Sequence, residues 1–400
     1  MQQRQLFLSY LAQTSDFPLA IEIDRAEGIY LYGPDGTTYM DLISGIGVSN
    51  VGHRHPSVLK AIQHQLDRYL HTMVYGEYIQ APQIQLAQAL VKTLEKYHTP
   101  AGYSIDNVYL TNSGTEAVEG AMKLAKRYTG RTEIISCKNA YHGSTQGALS
   151  LAGAEFFKQA FRPLLPGIRH IQHGNPDDVS YITHHTAAVV IEVIGGESGV
   201  RVPDKAYLQA LRQRCTEQGA LLIFDEIQTG FGRTGTFWAF EGFGVVPDIL
   251  LSAKGMGGGM PIGAFMAPMA IMQVFKNQPI LGHITTFGGH PVSAAASLAT
   301  LQTILSENLC AEVPQKTALF IELLQHSKIR QIRNQGLMMA VEFANFEELK
   351  PIIDRGISKG VITDWFLFCD NAMRIAPPLT ITKEEIHKAC RIILEAIEDS

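Results

Sequence analysis

Short apolar runs rich in Val, Ile and Leu alternate with longer stretches of helical period through the middle of the chain. Asn107-Val-Tyr-Leu-Thr111 has the composition of a strand, and Ser113 to Tyr128 the period of a helix. Glu133-Ile-Ile-Ser136, Ala187-Ala-Val-Val-Ile191, Ala220-Leu-Leu-Ile-Phe224, Asp248-Ile-Leu-Leu-Ser252 and Gly263-Ala-Phe-Met266 read as further strands. A helix from Lys205 to Gln218 leads to Gly219, which is placed to cap it. Unbroken apolar strands spaced by helices predict an α/β fold with a mainly parallel sheet, covered by helices on both faces. Ligands of such sheets bind beyond the carboxyl ends of the strands, so the polar residues just after each strand hold the chemistry.

The two ends of the chain read differently. Ile21-Glu-Ile-Asp24 and Gly28-Ile-Tyr-Leu31 are strand-like, with a turn at Gly33-Pro-Asp-Gly36. After about residue 292 the order becomes helix, strand, helix. This pattern predicts a large domain over residues 45–291 and a smaller α+β domain assembled from residues 1–44 and 292–400.

Composition narrows the class. The chain has 400 residues, 46% hydrophobic and 18% charged, with a net charge of −5. That describes a globular protein, and the absence of a basic block argues against a nucleic-acid partner. Residues 1–20 carry Arg4 and Asp16 and do not read as a secretory leader. Residues 255–275 contain no Asp, Glu, Lys or Arg, but glycines and prolines interrupt them, so burial is expected rather than a membrane span. Five scattered cysteines, with no CxxC pair, suggest neither disulfides nor zinc. The expectation is a cytoplasmic protein with reduced thiols.

Three strand ends carry candidate chemistry. Thr111-Asn-Ser-Gly-Thr-Glu-Ala117 opens a helix. Its small hydroxyl residues either cap the helix or, with its free N–H groups, receive a phosphate. Asp225 follows the apolar strand at 220–224 and either caps the next element or faces a ring nitrogen. Lys254 lies between an apolar strand and a run of glycines, where desolvation favours the neutral amine that a nucleophile needs. An amine, a carboxylate and an anion site on different strand ends match the three corners of pyridoxal 5′-phosphate.

The chain resembles the class III aminotransferases of fold type I, the pyridoxal-phosphate enzymes that include ornithine, acetylornithine and 4-aminobutyrate aminotransferases. The resemblance lies in Gly52-His53-Arg54-His55-Pro56, Asn112 to Ala117, Tyr141-His142-Gly143, Asp225 to Gly235, Lys254 with Gly257 to Gly263, Thr285 to Pro291, and Arg374-Ile-Ala-Pro-Pro378. It implies that Lys254 forms a Schiff base with the cofactor and moves protons as base and acid. Asp225 would keep the ring nitrogen protonated, Gln228 would bond the ring hydroxyl, and Tyr141 would stack on the ring. Ser113, Gly114 and Thr115 would hold the phosphate, completed by Thr286 from the second subunit of a homodimer. His142 and Glu192 also fall among the cofactor-binding positions.

Glu192-Val-Ile-Gly-Gly-Glu197 resembles a segment whose second glutamate pairs with a C-terminal arginine, here Glu197 with Arg374. The acid covers the arginine during amine binding and releases it for the carboxylate of 2-oxoglutarate. Two positions depart from the ornithine-type pattern. Ser144 stands in place of an arginine that grips a substrate carboxylate, and Gly195 in place of a glutamine. Both imply more room, and a donor with an ω-amine or a bulkier, less acidic end. Tyr75 and Tyr78 are further candidates near the substrate. The expected activity is transamination from an amino acid or ω-amine to a 2-oxo acid. The alternatives are an aminomutase or decarboxylase on the same fold, or a pyridoxal-phosphate-binding protein without catalysis.

Overall fold

Strand residues in the middle of the chain point alternately to two covered faces. In the strand Leu221–Asp225, Leu222 and Phe224 enter one apolar cluster and Ile223 the other. In Thr186–Glu192, Val189 and Ile191 go one way, and Ala188 and Val190 the other. Both faces are therefore buried, which explains why these strands lack polar alternation. The computed structural model describes residues 3–73 and 76–400.

The central sheet has seven strands, ordered Asn107–Thr111, Gly263–Ala267, Ile249–Ser252, Leu221–Asp225, Thr186–Glu192, Glu133–Cys137 and Ile168–Ile171. Gly263–Ala267 runs antiparallel to both of its neighbours. The pairings among the others are parallel. The edge strand Ile168–Ile171 carries Arg169 and His170 between two isoleucines, which hid it from a search for apolar runs. The helix Gly114–Thr129 lies on one face through Val118, Ala121, Met122 and Ala125. It approaches so closely that a Cβ on Gly120 would sit 2.3 Å from the Phe265 ring. Each large side chain buried this way contributes about 1.5–3 kcal/mol.

The charge-poor stretch at 255–275 has a plain cause. It contains the strand Gly263–Ala267, whose five residues are all buried between two neighbouring strands. Among the described residues, no helix is long and apolar enough to cross a membrane.

The N-terminal segment forms an antiparallel ladder of Arg25–Glu27, Tyr30–Tyr32 and Thr38–Asp41. Ile21 to Asp24, expected as a strand, lie just before it. The hairpin at Gly28-Ile29 sets the register from Arg25 onward, and only Asp24 adds a backbone bond to Tyr32, at 2.8 Å. Thr38–Asp41 then pairs in parallel with Val361–Ile362 near the other end of the chain. A second sheet of Gln331–Asn334, Met339–Glu342, Cys369–Ile375 and Asp364–Phe366 follows, packed with the helices Phe346–Ser358 and Lys383–Glu398.

Arg233 joins these parts. It is fully buried, and burial pushes its pKa down to about 10, so it stays charged at neutral pH. Its guanidinium donates to Asn50 Oδ1 at 2.7 Å, to Leu337 O at 3.0 Å, and to Pro377 O. Asn50 donates in turn to Phe231 O at 2.9 Å. One side chain thus ties the N-terminal region, the central loop and two C-terminal segments. Arg233→Ala would leave three buried acceptors without a donor, and should destabilise the protein by on the order of 3 kcal/mol or more in urea denaturation. Arg233→Lys should recover only part of this, because an ammonium cannot span the same fork. A loss below about 0.5 kcal/mol, typical of a surface site, would contradict this account.

Candidate active site

The carboxyl ends of the parallel strands bring the candidate residues to one edge of the sheet. Glu192 and Asp225 end adjacent strands and are register partners. Lys254 follows Ile249–Ser252 by two residues, Tyr141 and His142 follow Glu133–Cys137, and Ser113 follows Asn107–Thr111. They surround a cavity of about 530 Å³, within the usual range for small-molecule sites. Ser113, Gly114, Thr115, Tyr141, His142, Glu192, Glu197, Asp225, Gln228 and Lys254 all line it.

Asp225 is buried, and each of its oxygens is braced. Oδ2 lies 2.7 Å from His142 Nδ1, and Oδ1 accepts from Ile227 N at 3.0 Å. Burial disfavours charge on His142, but the hydrogen bond and charge of Asp225 outweigh it and raise its pKa. The other ring nitrogen, His142 Nε2, is buried without a hydrogen-bond partner. Lys254 stands at φ +47, a left-handed conformation that costs a residue with a side chain about 1–2 kcal/mol. Burial lowers the pKa of its amine against the opposing pull of Glu197.

Ser113 caps the helix Gly114–Thr129 by accepting from Glu116 N. The N–H groups of Gly114 and Thr115 belong to a first turn with no partners further up the helix. Thr115 Oγ1 lies 2.7 Å from Thr145 Oγ1, and Thr145 donates to Glu119 Oε1 at 2.5 Å. The proton of Thr115 is therefore given to Thr145, and this residue meets an anion through its backbone N–H. Glu119 Oε1 also accepts from Gly147 N at 2.8 Å and Ala148 N at 3.1 Å, so it holds the loop after Tyr141 to the helix. Gly143, at φ +132, lets that loop pass: a Cβ there would sit 2.2 Å from Thr115 Oγ1.

Glu197 and Arg374 form a bidentate pair, at 2.9 and 2.8 Å. Burial alone would raise the pKa of Glu197, but Arg374 holds it below the ordinary carboxylate value. Gln228 lines the cavity beside Glu197, its Nε2 3.4 Å from Glu197 Oε1. Thr286 is exposed and does not line the cavity of its own chain. Tyr75 lies outside the described residues, and Tyr78 is exposed.

The two departures have different consequences. Ser144 Oγ bonds Tyr141 Oη at 3.0 Å, and among the described lining residues Lys254 is the one lysine or arginine. Gly195 does not enlarge the cavity as expected. It pairs with Arg201 through two backbone bonds of 2.9 Å, and a Cβ there would meet Ser198 Oγ at 2.5 Å. Glu119 and Thr145 escaped the sequence reading. Glu119 lies one helical turn after Thr115, a spacing common to many helical pairs, and its partners Thr145, Gly147 and Ala148 lie on another element.

A helix N-terminus, a lysine whose amine burial shifts towards the neutral form and a braced buried carboxylate suit the phosphate, aldehyde carbon and ring nitrogen of pyridoxal 5′-phosphate. His142 Nε2, left without a partner in the wall, fits a site completed by a bound group.

Residues 10–397 match the family model described as aminotransferase class-III. The acetylornithine aminotransferase of Methanopyrus kandleri is 37% identical over 406 residues, covering 100% of both chains. That of Clostridium acetobutylicum is 36% identical, over 94% of this chain and 96% of its own. Among solved structures, the ornithine aminotransferase of Toxoplasma gondii ME49 superposes with a TM-score of 0.90 at 28% identity, over 99% of this chain and 94% of that one. A transaminase from the marine bacterium Virgibacillus gives a TM-score of 0.90 at 26% identity, over 99% and 98%.

Burial pushes Glu192 up to about 7, helped by Asp225 and opposed by His142. The protonated acid is the form favoured in the fold. Its contribution to stability is complete below about pH 4.5 and is lost as pH rises through about 7. Glu192→Gln should remove that loss, on the order of 2–3 kcal/mol, so its melting temperature falls less between pH 5 and 8 than that of the parent. Glu226, also pushed up to about 7, leaves a residual slope in both proteins. Parallel pH curves for the two would refute the assignment.

Proposed function

The chain belongs to the class-III aminotransferase family, and on that premise we propose how its residues divide the work and which donor it takes. The reaction is transfer of an amino group from a donor to a 2-oxo acid, with pyridoxal 5′-phosphate as cofactor. That cofactor supplies an aldehyde carbon to carry the amino group and a ring that withdraws electrons from the donor carbon. One observation carries the reading: Lys254, the His142-braced Asp225 and the N-terminus of Gly114–Thr129 line a single cavity.

Lys254 Nζ holds the cofactor and moves the proton between the two reacting carbons, a task that its lowered pKa favours. Asp225 keeps a proton on the ring nitrogen, and His142 keeps Asp225 in place. Ser113, Gly114 and Thr115 bind the phosphate, Gln228 bonds the ring hydroxyl, Tyr141 covers the ring, and Glu192 supports the floor beside Asp225. Glu197 covers Arg374 during the donor half-reaction and yields it to the distal carboxylate of 2-oxoglutarate in the second.

The donor we propose bears an ω-amine or a bulky, weakly acidic end, because Ser144 and the cavity wall offer a donor carboxylate no arginine. The names of the relatives favour a second reading, N-acetylornithine, which would bring its carboxylate to a wall without that cation. We further propose a homodimer in which Thr286 of the partner subunit completes the phosphate site. In support, Thr286 lies on an exposed apolar stretch with Ile280, Leu281, Ile284 and Phe287. A cytoplasmic location accords with five free cysteines. The division into residues 45–291, and 1–44 with 292–400, accords with the pairing of Thr38–Asp41 and Val361–Ile362.

The visible absorbance of purified holoenzyme should bleach with a productive donor and return with 2-oxoglutarate. Lys254→Ala should lower kcat by about a thousandfold or more. Retained turnover would end the central claim, and exclusive turnover of N-acetylornithine in a donor panel would replace the donor reading with its rival. Arg374→Ala should raise KM for 2-oxoglutarate about tenfold or more while KM for pyruvate changes little. Equal changes for both acceptors would exclude the exchange at Glu197.

A further inference from the structure

Arg374 has a second anionic neighbour. Asp364 is its cross-strand partner in the antiparallel pairing of Asp364–Phe366 with Cys369–Ile375. Asp364 Oδ1 lies 3.0 Å from Arg374 Nε, and neither atom has an aligned hydrogen bond. The contact is therefore one of charge rather than of directed bonding. The guanidinium is also held by the carbonyl of Trp365, at 3.1 Å from its Nη2, and by the Phe366 ring, whose centroid is 4.7 Å from its Cζ. Its fork of Nη1 and Nη2 is the part taken by Glu197. Removing Glu197 would leave the other three contacts, and with them the orientation of the fork.

The geometry points to Asp364 as a specificity-determining positioning residue, one that limits how strongly Arg374 takes the distal carboxylate of a dicarboxylic 2-oxo acid. The inference rests on the proposed exchange of Glu197 for that carboxylate. With Glu197 paired, two carboxylates share one guanidinium, so the locus carries one excess negative charge. The exchange brings in the substrate's carboxylate while Glu197 stays on the adjoining loop, so Asp364 faces more negative charge in the complex than in the free enzyme and opposes binding. Protonation of Asp364 removes the repulsion. By reciprocity, binding of the dicarboxylate favours that protonation.

The groups that face Asp364 are Arg374 on the neighbouring strand, Glu197 from the loop after Thr186–Glu192, and Asp41 from the N-terminal ladder. Burial raises its pKa to about 6, opposed by Arg374 and helped by Glu197 and Asp41. Glu197 is held low only while it pairs with Arg374, so once displaced its own protonation adds to the pH dependence, and removal of Asp364 separates the two contributions. The ionisation of Asp364 itself falls between about pH 5 and about pH 8, the interval that the test spans.

The test compares 2-oxoglutarate with pyruvate, which shares the reacting end but lacks the distal carboxylate. The ratio of their KM values cancels titrations common to both acceptors, including that of Lys254. In the wild-type holoenzyme this ratio should rise roughly fivefold or more as pH increases from about 5 to about 8. In Asp364→Asn the rise should be clearly smaller, and KM for 2-oxoglutarate at pH 8 should fall below that of the parent. A pH-independent ratio in the wild type overturns the inference even if the variant does not fold. An unchanged pH dependence in the variant, or a raised KM, overturns it as well. Failure of the underlying exchange is read separately, as an Arg374→Ala enzyme with an unaltered ratio.

Discussion

The cavity edge is organised by one constraint, the cost of keeping ionisable groups out of water. Asp225, His142, Glu192, Glu197, Arg374 and Lys254 crowd one end of the sheet, most of them nearly inaccessible to solvent. A lone buried charge there would be expensive, so each is paired, braced or shifted towards neutrality. Asp225 leans on His142, Glu197 on Arg374, Lys254 towards its neutral amine and Glu192 towards its acid form. The opposing shifts place groups that differ in protonation within one cavity, the condition that proton transfer needs.

The scaffold serves the same end. Parallel strands finish at one edge, so residues far apart in sequence share a wall without strain in the sheet. The helix Gly114–Thr129 can lie close because Gly120 leaves room for Phe265, and its N-terminus opens beside the same edge. The C-terminal segments then reach the site through two arginines with distinct tasks. Arg233 is consumed by carbonyls and an amide, and joins segments of the chain. Arg374 is held by groups that leave its fork facing a carboxylate that exchange could remove.

On the proposed reading, specificity within this arrangement rests on small changes around constant chemistry. Ser144 brings no charge to the cavity and bonds Tyr141. Asp364 adds an anion beside Arg374. Both, as proposed, alter the charge available to a substrate carboxylate, one on the donor side and the other on the acceptor side. Gly195 shows the limit of such reasoning from residue type alone, since a Cβ there would meet Ser198 and Arg201, neither of which lines the cavity.

Most of the central sheet was legible in the sequence, because strands buried on both faces must be apolar throughout. The polar residues directly after them were legible for the same reason: charge beside such a strand needs a purpose. That logic reached Lys254, Asp225 and the Ser113–Thr115 turn from local pattern alone. It missed Ile168–Ile171, an edge strand with polar residues, and misplaced the first N-terminal strand, whose start depends on hairpin register. Glu119, Thr145 and Asp364 had no local signature strong enough to separate them from ordinary surface residues. Their partners lie on other elements, or a helical turn away, and only the packed fold brings them within hydrogen-bonding or Coulombic range. Sequence by itself determined most of the buried elements and the side chains that stand at their ends, since burial and chain geometry act locally. The tertiary structure alone decided which charges meet, because electrostatic pairing depends on distance through space and on the water excluded between the partners.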